Sequence, residues 1–417
     1  MNPSNNNSFT RLVSINSLML ALLLTANFVS IFLASLGNFI NDGLIPIIFF
    51  SALGVSYLMA LFTKQSIKLN KRTILFLFYI TSIFMFTFVF RGLNTSARDY
   101  FIQFLAYGII TYLLSILPYR VSIIIRSVML IGIIVITNPI GFLEFISISE
   151  SAFGRVNMGA SYAILPSVMA SIIHFFFYRN LKNWLNALGY LANVYLLFLL
   201  ITQGSRGAVL SVLLLIFLVV FIKISKKINK NKSLLYPLIF SIGFMVLIFI
   251  LFNLDWILLQ VYSLLQGAGY EIAAIIKTYN LLVNEGILGI LNGRDVIYIN
   301  SLELFNKSPI WGHGVGVYAD IYGSWPHNIF LQTMIEGGLL FAVPIGVLVA
   351  LSFWSLIKPW PSGTLLEENR LLLLLLFMIC IPRLLFSSYL WEQQSFWLMI
   401  FVLLRINIKQ KINIKNS

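Results

Sequence analysis

Hydrophobic positions in this chain gather into runs of roughly eighteen or more residues that recur from end to end. Most of these runs show neither a helical stripe nor a strand alternation, because they are apolar on every side. Such runs predict membrane-spanning helices, about twelve of them. They lie near 14–36, 44–63, 73–90, 100–117, 121–139, 159–178, 184–202, 207–225, 234–253, 328–357, 371–388 and 393–406. The last two can also be read as one span plus a re-entrant piece. The polar opening MNPSNNNSFTR leads into an apolar run longer than a signal-peptide core, with no small-residue cleavage site behind it. An uncleaved first span is therefore expected.

The polar gaps are short with one exception, the segment Leu254–His327 between the ninth and tenth spans. Its pattern predicts one helix near Trp256–Tyr279, lying against the membrane face. A second helix runs near Arg294–Asn306 and is stopped by Ser308-Pro309. The glycine-rich turn Trp311-Gly312-His313-Gly314-Val315-Gly316 follows. Pro326-His327-Asn328 then leads into the tenth span. No internal repeat and no appended soluble domain is visible. The expected fold is an all-α polytopic membrane protein, residues 1–417 forming one transmembrane domain with 254–327 as a large loop.

Composition sharpens this picture. The chain is 59% hydrophobic and 10% charged, a balance that excludes a soluble globular domain. Cys380 is the single cysteine and lies in an apolar run, so the sequence offers no disulfide framework and no thiolate metal site. The formal charge of +14 could suggest nucleic acid, but its distribution argues otherwise. With the N-terminus inside, most of the 28 Lys and Arg fall on inner segments, including Lys64–Arg72, Lys223–Lys232 and Arg405–Lys415. That is the positive-inside pattern, with both termini cytoplasmic and Leu254–His327 outside. No GxxxxGK[ST] loop occurs, which excludes an ATP-driven transporter for this chain alone.

The inner basic residues are mostly lysine, whereas the outer ones are mostly arginine: Arg91, Arg98, Arg155, Arg206 and Arg294. Topology needs only positive charge. A permanently charged planar fork suits bidentate phosphate binding, although an outer arginine can also snorkel to lipid headgroups or pair with Asp99 or Asp295. Arg126 and Arg383 fall inside predicted spans, where they must face protein or water. In Thr202-Gln203-Gly204-Ser205-Arg206-Gly207, Ser205 is a good N-cap, so Arg206 opens a helix whose N–H groups and dipole favour an anion. Of the histidines, His174 reads as a packed helix residue, and His313 among glycines as an exposed one. His327, fixed by the preceding proline, reads either as a structural residue or as a general base for a sugar hydroxyl. The scattered outer acids give no metal-ligand spacing, so neither a metal nor a cofactor is expected.

Three of these pieces, in order, resemble the bacterial O-antigen polymerase and O-antigen ligase superfamily. TQGSRGAVL (202–210) is similar to its Thr-x-Ser-Arg-Gly helix start. RDVIYINSLELFNKSPIWGHGVG (294–316) is similar to its Arg-led helix followed by Ser/Asn-Pro and a Gly-x-Gly turn. PHNIFLQTMIEGGL (326–339) is similar to its His-Asn segment with a downstream Glu-x-Gly. Phe153-Gly154-Arg155-Val156-Asn157 lacks the proline of the family's Pro-Asn stretch. The resemblance implies an inner-membrane glycosyltransferase that takes an oligosaccharide from a polyprenyl diphosphate carrier at the periplasmic face. It implies His327 as catalytic base, Arg206, Arg294, Arg155 and Arg91 on the diphosphate, and Ser205, Asn328 and Glu336 in support. A chain-length regulator and a flippase are the expected protein partners. PHNIFLQ looks more like polymerase members, and the Lys/Asn/Ile-rich chain suits surface-polysaccharide loci. Polymerase is therefore preferred over ligase, and both over a non-enzymatic flippase or exporter, which would show repeated halves and a charged central path.

Overall fold

The computed structural model describes residues 3–36, 41–64, 69–92, 94–148, 158–178, 182–202, 205–227, 294–358 and 365–415, with a few isolated positions between 241 and 267. The predicted ninth span, the predicted helix 256–279 and Arg155 lie outside the described residues, isolated positions aside. The described elements are helical: α1 (Pro3–Leu24), α2 (Ala26–Ser35), α3 (Asn41–Phe62), α4 (Lys71–Arg91), α5 (Thr95–Gln103), α6 (Ile110–Ile116), α7 (Val121–Ile131) and α8 (Pro139–Ile148). They continue with α9 (Met158–Phe177), α10 (Trp184–Thr202), α11 (Arg206–Lys227), α12 (Arg294–Lys307), α13 (Val317–Tyr322), α14 (Ile329–Ile357), α15 (Leu365–Phe386) and α16 (Gln394–Lys415).

Among the described residues, eight helices are long and apolar enough to cross a membrane, or ten if two bent pairs each count as one span. The protein is a multi-pass membrane protein. The predicted span 14–36 is broken, and the predicted span 121–139 ends in a sharp turn into a further short helix. α1 and α2 meet at 67° around Thr25, whose hydroxyl donates back to the Ala21 carbonyl at 2.9 Å. α7 runs on as a 3₁₀ segment, Gly132–Thr137, before a 94° turn into α8. Asn138 precedes Pro139, which disfavours helical geometry at Asn138, and its side chain then caps α8 by accepting from Gly141 N. The apolar part of α16, Gln394–Arg405, is shorter than a full span.

Burial separates an inner pair of helices from the periphery. The membrane windows of α9 and α15 are 78% and 83% buried, against 22% and 28% for α3 and α4. The all-round apolar run Leu371–Leu376 suits α15 to the centre, where it packs on α9, α11, α14 and α16. α9 brings small residues, Ala160, Ser161, Ala163 and Ala170, which let neighbours approach closely. Ser167 of α9 donates to the Val128 carbonyl of α7 at 3.1 Å. Leu61, Phe62 and Phe78 on the outlying helices stand largely exposed, as lipid-facing side chains do.

Candidate functional site

The site is built on a kink. α14 leaves helical geometry at Gly338 (φ 63, ψ −157), about a third of the way along and well within a predicted span. A break there frees backbone groups that lipid cannot satisfy. The turn after α12 satisfies them: His313 N and Gly314 N donate to the Ile335 and Glu336 carbonyls at 2.7 and 2.9 Å. Leu339 N and Leu340 N donate to Pro309 and Ile310 at 2.8 and 3.3 Å. Pro344 can offer no N–H to Leu340, and the Tyr79 hydroxyl donates to that carbonyl instead, at 2.6 Å.

Glycine is required at this contact. A Cβ on Gly312 would come within 2.5 Å of Gly338 N, and one on Gly338 would collide with the Ile310 carbonyl. His313, expected to be exposed, is half-buried, with Nε2 2.6 Å from the Leu304 carbonyl, and so ties the turn to α12. The Glu336 carboxylate is fully enclosed. It accepts from Gln332 Nε2 (3.0 Å), Trp391 Nε1 (3.1 Å to Oε2) and Gly316 N (3.4 Å). Gln332 Oε1 in turn accepts from Leu390 N at 2.9 Å. Glu336 thus joins the glycine-rich turn, α14 and the α15–α16 connection, and its supporting role is a matter of positioning.

His327 stands at the entry to α14 with φ 56, a left-handed conformation uncommon for a residue with a side chain. Asn328 fixes the helix start: its Oδ1 accepts from Phe330 N and Leu331 N at 2.9 and 3.3 Å. The His327 ring lies 5.2 Å from Trp325, which lies 5.1 Å from Tyr389. Its Nδ1 is buried with no hydrogen-bond partner among the described residues. Burial lowers the pKa of His327 from 6.5, the Arg294 guanidinium lowers it further, and a backbone hydrogen bond at Ser387 works the other way. A neutral imidazole beside a cation, with a nitrogen unoccupied, is the state a general base needs near neutral pH.

The sequence-predicted residues converge unequally. Arg294 opens α12 within electrostatic reach of His327. Arg206 opens α11, and Ser205 Oγ accepts from Ala208 N at 3.4 Å, a long cap; the Arg206 side chain lies outside the described set. The next residue, Gly207, packs so tightly on Tyr162 that a Cβ would strike its hydroxyl, and that hydroxyl is 2.9 Å from Ser387 Oγ. The start of α11 is thereby joined to the same segment that touches His327. Arg91 ends α4 exposed, and a Cβ on Gly314 would approach its Cγ to 3.2 Å. Arg91 therefore borders the glycine-rich turn.

Arg383 was legible only as a span arginine needing a polar environment. Its Nη2 lies 3.6 Å from Glu392 Oε1 and its guanidinium 5.0 Å from the Tyr162 ring centroid, while Nε is buried with no partner among the described residues. Glu392 also accepts from Ser388 Oγ at 2.9 Å. The one sequence signal was a charge near the end of an apolar run, which does not name its partners. Arg126, the other span arginine, donates to Asn186 Oδ1 at 3.0 Å, and His174 meets the Tyr190 hydroxyl at 2.7 Å, both as packed residues.

The arrangement offers a neutral base, flanking guanidiniums and a helix start, all at one end of the bundle. Such a set can hold an anionic leaving group and deprotonate a hydroxyl. No curated protein matches this chain. Residues 191–344, which include the start of α11, α12, the glycine-rich turn, His327 and the α14 kink, match the protein family described as O-antigen ligase, so this part of the chain is similar to that family.

Proposed function

We propose that this protein is a surface-polysaccharide (O-antigen) polymerase. It would transfer a glycan from a polyprenyl diphosphate carrier to a sugar hydroxyl of a second lipid-linked repeat, without a metal ion. The reaction would take place at the periplasmic face of a bacterial inner membrane, with both chain termini in the cytoplasm. His327 Nδ1 takes the proton of the acceptor hydroxyl as its oxygen attacks the anomeric carbon. The bond to the diphosphate breaks, and the departing oxygen's charge is met by Arg294 and Arg206, with Arg155 and Arg91 as further diphosphate contacts. Arg383 adds positive charge at the same end of the bundle. Glu336, Asn328 and Ser205 hold the three backbone segments in register.

One observation carries this reading. His327 combines a strained backbone, a buried ring nitrogen with no partner among the described residues and a lowered pKa beside Arg294. A histidine kept only for packing has no need of that combination. The glycosyltransferase character of the family supports it. The family description itself favours the second reading, a ligase that delivers lipid-linked glycan to lipid A-core. Deleting the gene in a bacterium that carries it separates the two. A polymerase deletion leaves single repeats on lipid A-core and removes only the long-chain ladder. Loss of every repeat from lipid A-core, with lipid-linked polymer accumulating, would make this chain the ligase.

A further inference from the structure

The entry to α14 runs beside the α15–α16 connection, and three neighbouring contacts fix how the two segments lie. Trp325 faces Tyr389 with ring centroids 5.1 Å apart. Asn328 Nδ2 donates to the Leu385 carbonyl at 3.5 Å. Between these two contacts, the His327 ring makes a hydrogen bond to the Ser387 backbone. The segments therefore pass antiparallel, with His327 opposite Ser387.

That bond fixes where the imidazole keeps its proton. His327 Nδ1 has no partner among the described residues, so the bond belongs to Nε2. The Ser387 N–H already donates to the Arg383 carbonyl at 2.8 Å. Nε2 therefore carries the proton and donates to the Ser387 carbonyl, which leaves the Nδ1 lone pair free to take a proton. The opposite tautomer would set a lone pair against the carbonyl and leave no base at Nδ1.

Ser387 is itself held. Its Oγ lies 2.9 Å from the hydroxyl of Tyr162 on α9, a residue only 5% exposed. The Tyr162 ring carries the Arg383 guanidinium 5.0 Å from its centroid. Its hydroxyl also closes on Gly207, the residue after Arg206, where no Cβ would fit. One side chain of the central helix α9 thus touches the start of α11, Arg383 and the partner of the base. A buried phenol is costly unless its hydroxyl is used, and here it is used on Ser387.

We propose that Tyr162 is a positioning residue of this site: through Ser387 it holds His327 in the Nε2–H tautomer, with Nδ1 as the base, and its ring holds Arg383 in place. The inference rests on the reading of His327 as the general base. Tyr162 itself transfers no proton; it acts through Ser387 and Arg383.

The test uses the full chain in lipid nanodiscs, isotope-labelled at the histidine ring nitrogens and observed by NMR. The His327 signals are those lost in His327→Ala. In the wild type they should report the Nε2–H tautomer. Tyr162→Phe keeps the ring and its packing and removes only the hydroxyl. It should mix the two tautomers and lower the His327 pKa, because the bond to Ser387 favours the protonated ring. Its kcat for transfer should fall about tenfold, the worth of one hydrogen bond, with KM for the lipid-linked donor little changed. Ser387→Ala should do the same, and the double variant no more than either, since both remove one interaction. An Nδ1–H tautomer in the wild type, unchanged His327 signals in both variants, or effects that add in the double variant would overturn the proposal. Shifted signals with unchanged turnover would establish the link to the ring and overturn instead the reading of His327 as the base.

Discussion

The two ends of α15 carry opposite kinds of polarity. At the Leu365 end, Glu367 and Glu368 sit in the first helical turn and meet Tyr178 and Arg405 across a cavity open to the surface. At the Phe386 end, Arg383 lies inside the packed bundle, paired with Glu392 and stacked on Tyr162, whose hydroxyl reaches the Ser387 segment that touches the half-buried His327. Surface charge at a helix start costs little. Charge enclosed by protein is costly unless it is paired or used. The difference teaches where the molecule has accepted expense: in the cluster that collects α9, α11, α12, α14 and the α15–α16 connection around His327.

After the loss of His327 itself, the largest effect is expected from breaking that cluster at its cations. Arg206→Ala should lose about 10²–10³ in transfer rate, as removal of a charge-stabilising donor does. Arg206→Lys, which keeps the charge and loses the fork, should retain part of it. The measurement is turnover of a purified lipid-linked repeat; near-normal turnover in Arg206→Ala would remove this residue from the site.

The kink gives the next effect. Gly338→Ala places a methyl against the Ile310 carbonyl at a left-handed φ, so the glycine-rich turn must lift off. A cost of about 2–3 kcal/mol is expected, in the range for overpacked sites. Thermal unfolding in detergent would measure it, and an unchanged midpoint would mean that the turn does not depend on this contact. Glu336→Gln should cost less, about 1–2 kcal/mol. The amide keeps one acceptor oxygen but turns its second position into a donor facing Trp391 Nε1, itself a donor.

The smallest effect is a displacement of the pH profile. Because burial and Arg294 lower the His327 pKa, the imidazole stays neutral to a pH below 6.5, and the acid limb of the rate profile should lie below that value. Removing the Arg294 cation raises the pKa. In Arg294→Gln the acid limb, normalised to its own plateau, should therefore move to higher pH. A limb that stays put would separate Arg294 from His327 electrostatically.

Much of this was legible from residue order. The apolar runs predicted the helices now described, and Ser308-Pro309 stopped α12 within a residue of its observed end at Lys307. The turn at Asn138-Pro139 coincides with the predicted end of the span 121–139, whereas the break at Thr25 was not legible, because the run 14–36 has the length of one span and holds no glycine or proline to mark it. Within the site, Arg206, Arg294 and His327 could be found because each sits at a helix start, a local signal. Arg383 could not be assigned to the site, since its partners Glu392 and Tyr162 reach it only through packing. Glu336 was named only through the resemblance, since no spacing announces its enclosure by Gln332, Trp391 and Gly316.

The central claim is that His327 is the base. Its direct test is the turnover of purified His327→Ala against wild type, with binding of the lipid-linked donor measured on the same preparations. The expected result is a loss of about 10²–10⁴ in rate with donor binding largely kept, since a base acts on the acceptor and not on the diphosphate. A variant that keeps more than about one tenth of wild-type turnover, where general-base catalysis should be worth far more, would contradict the claim.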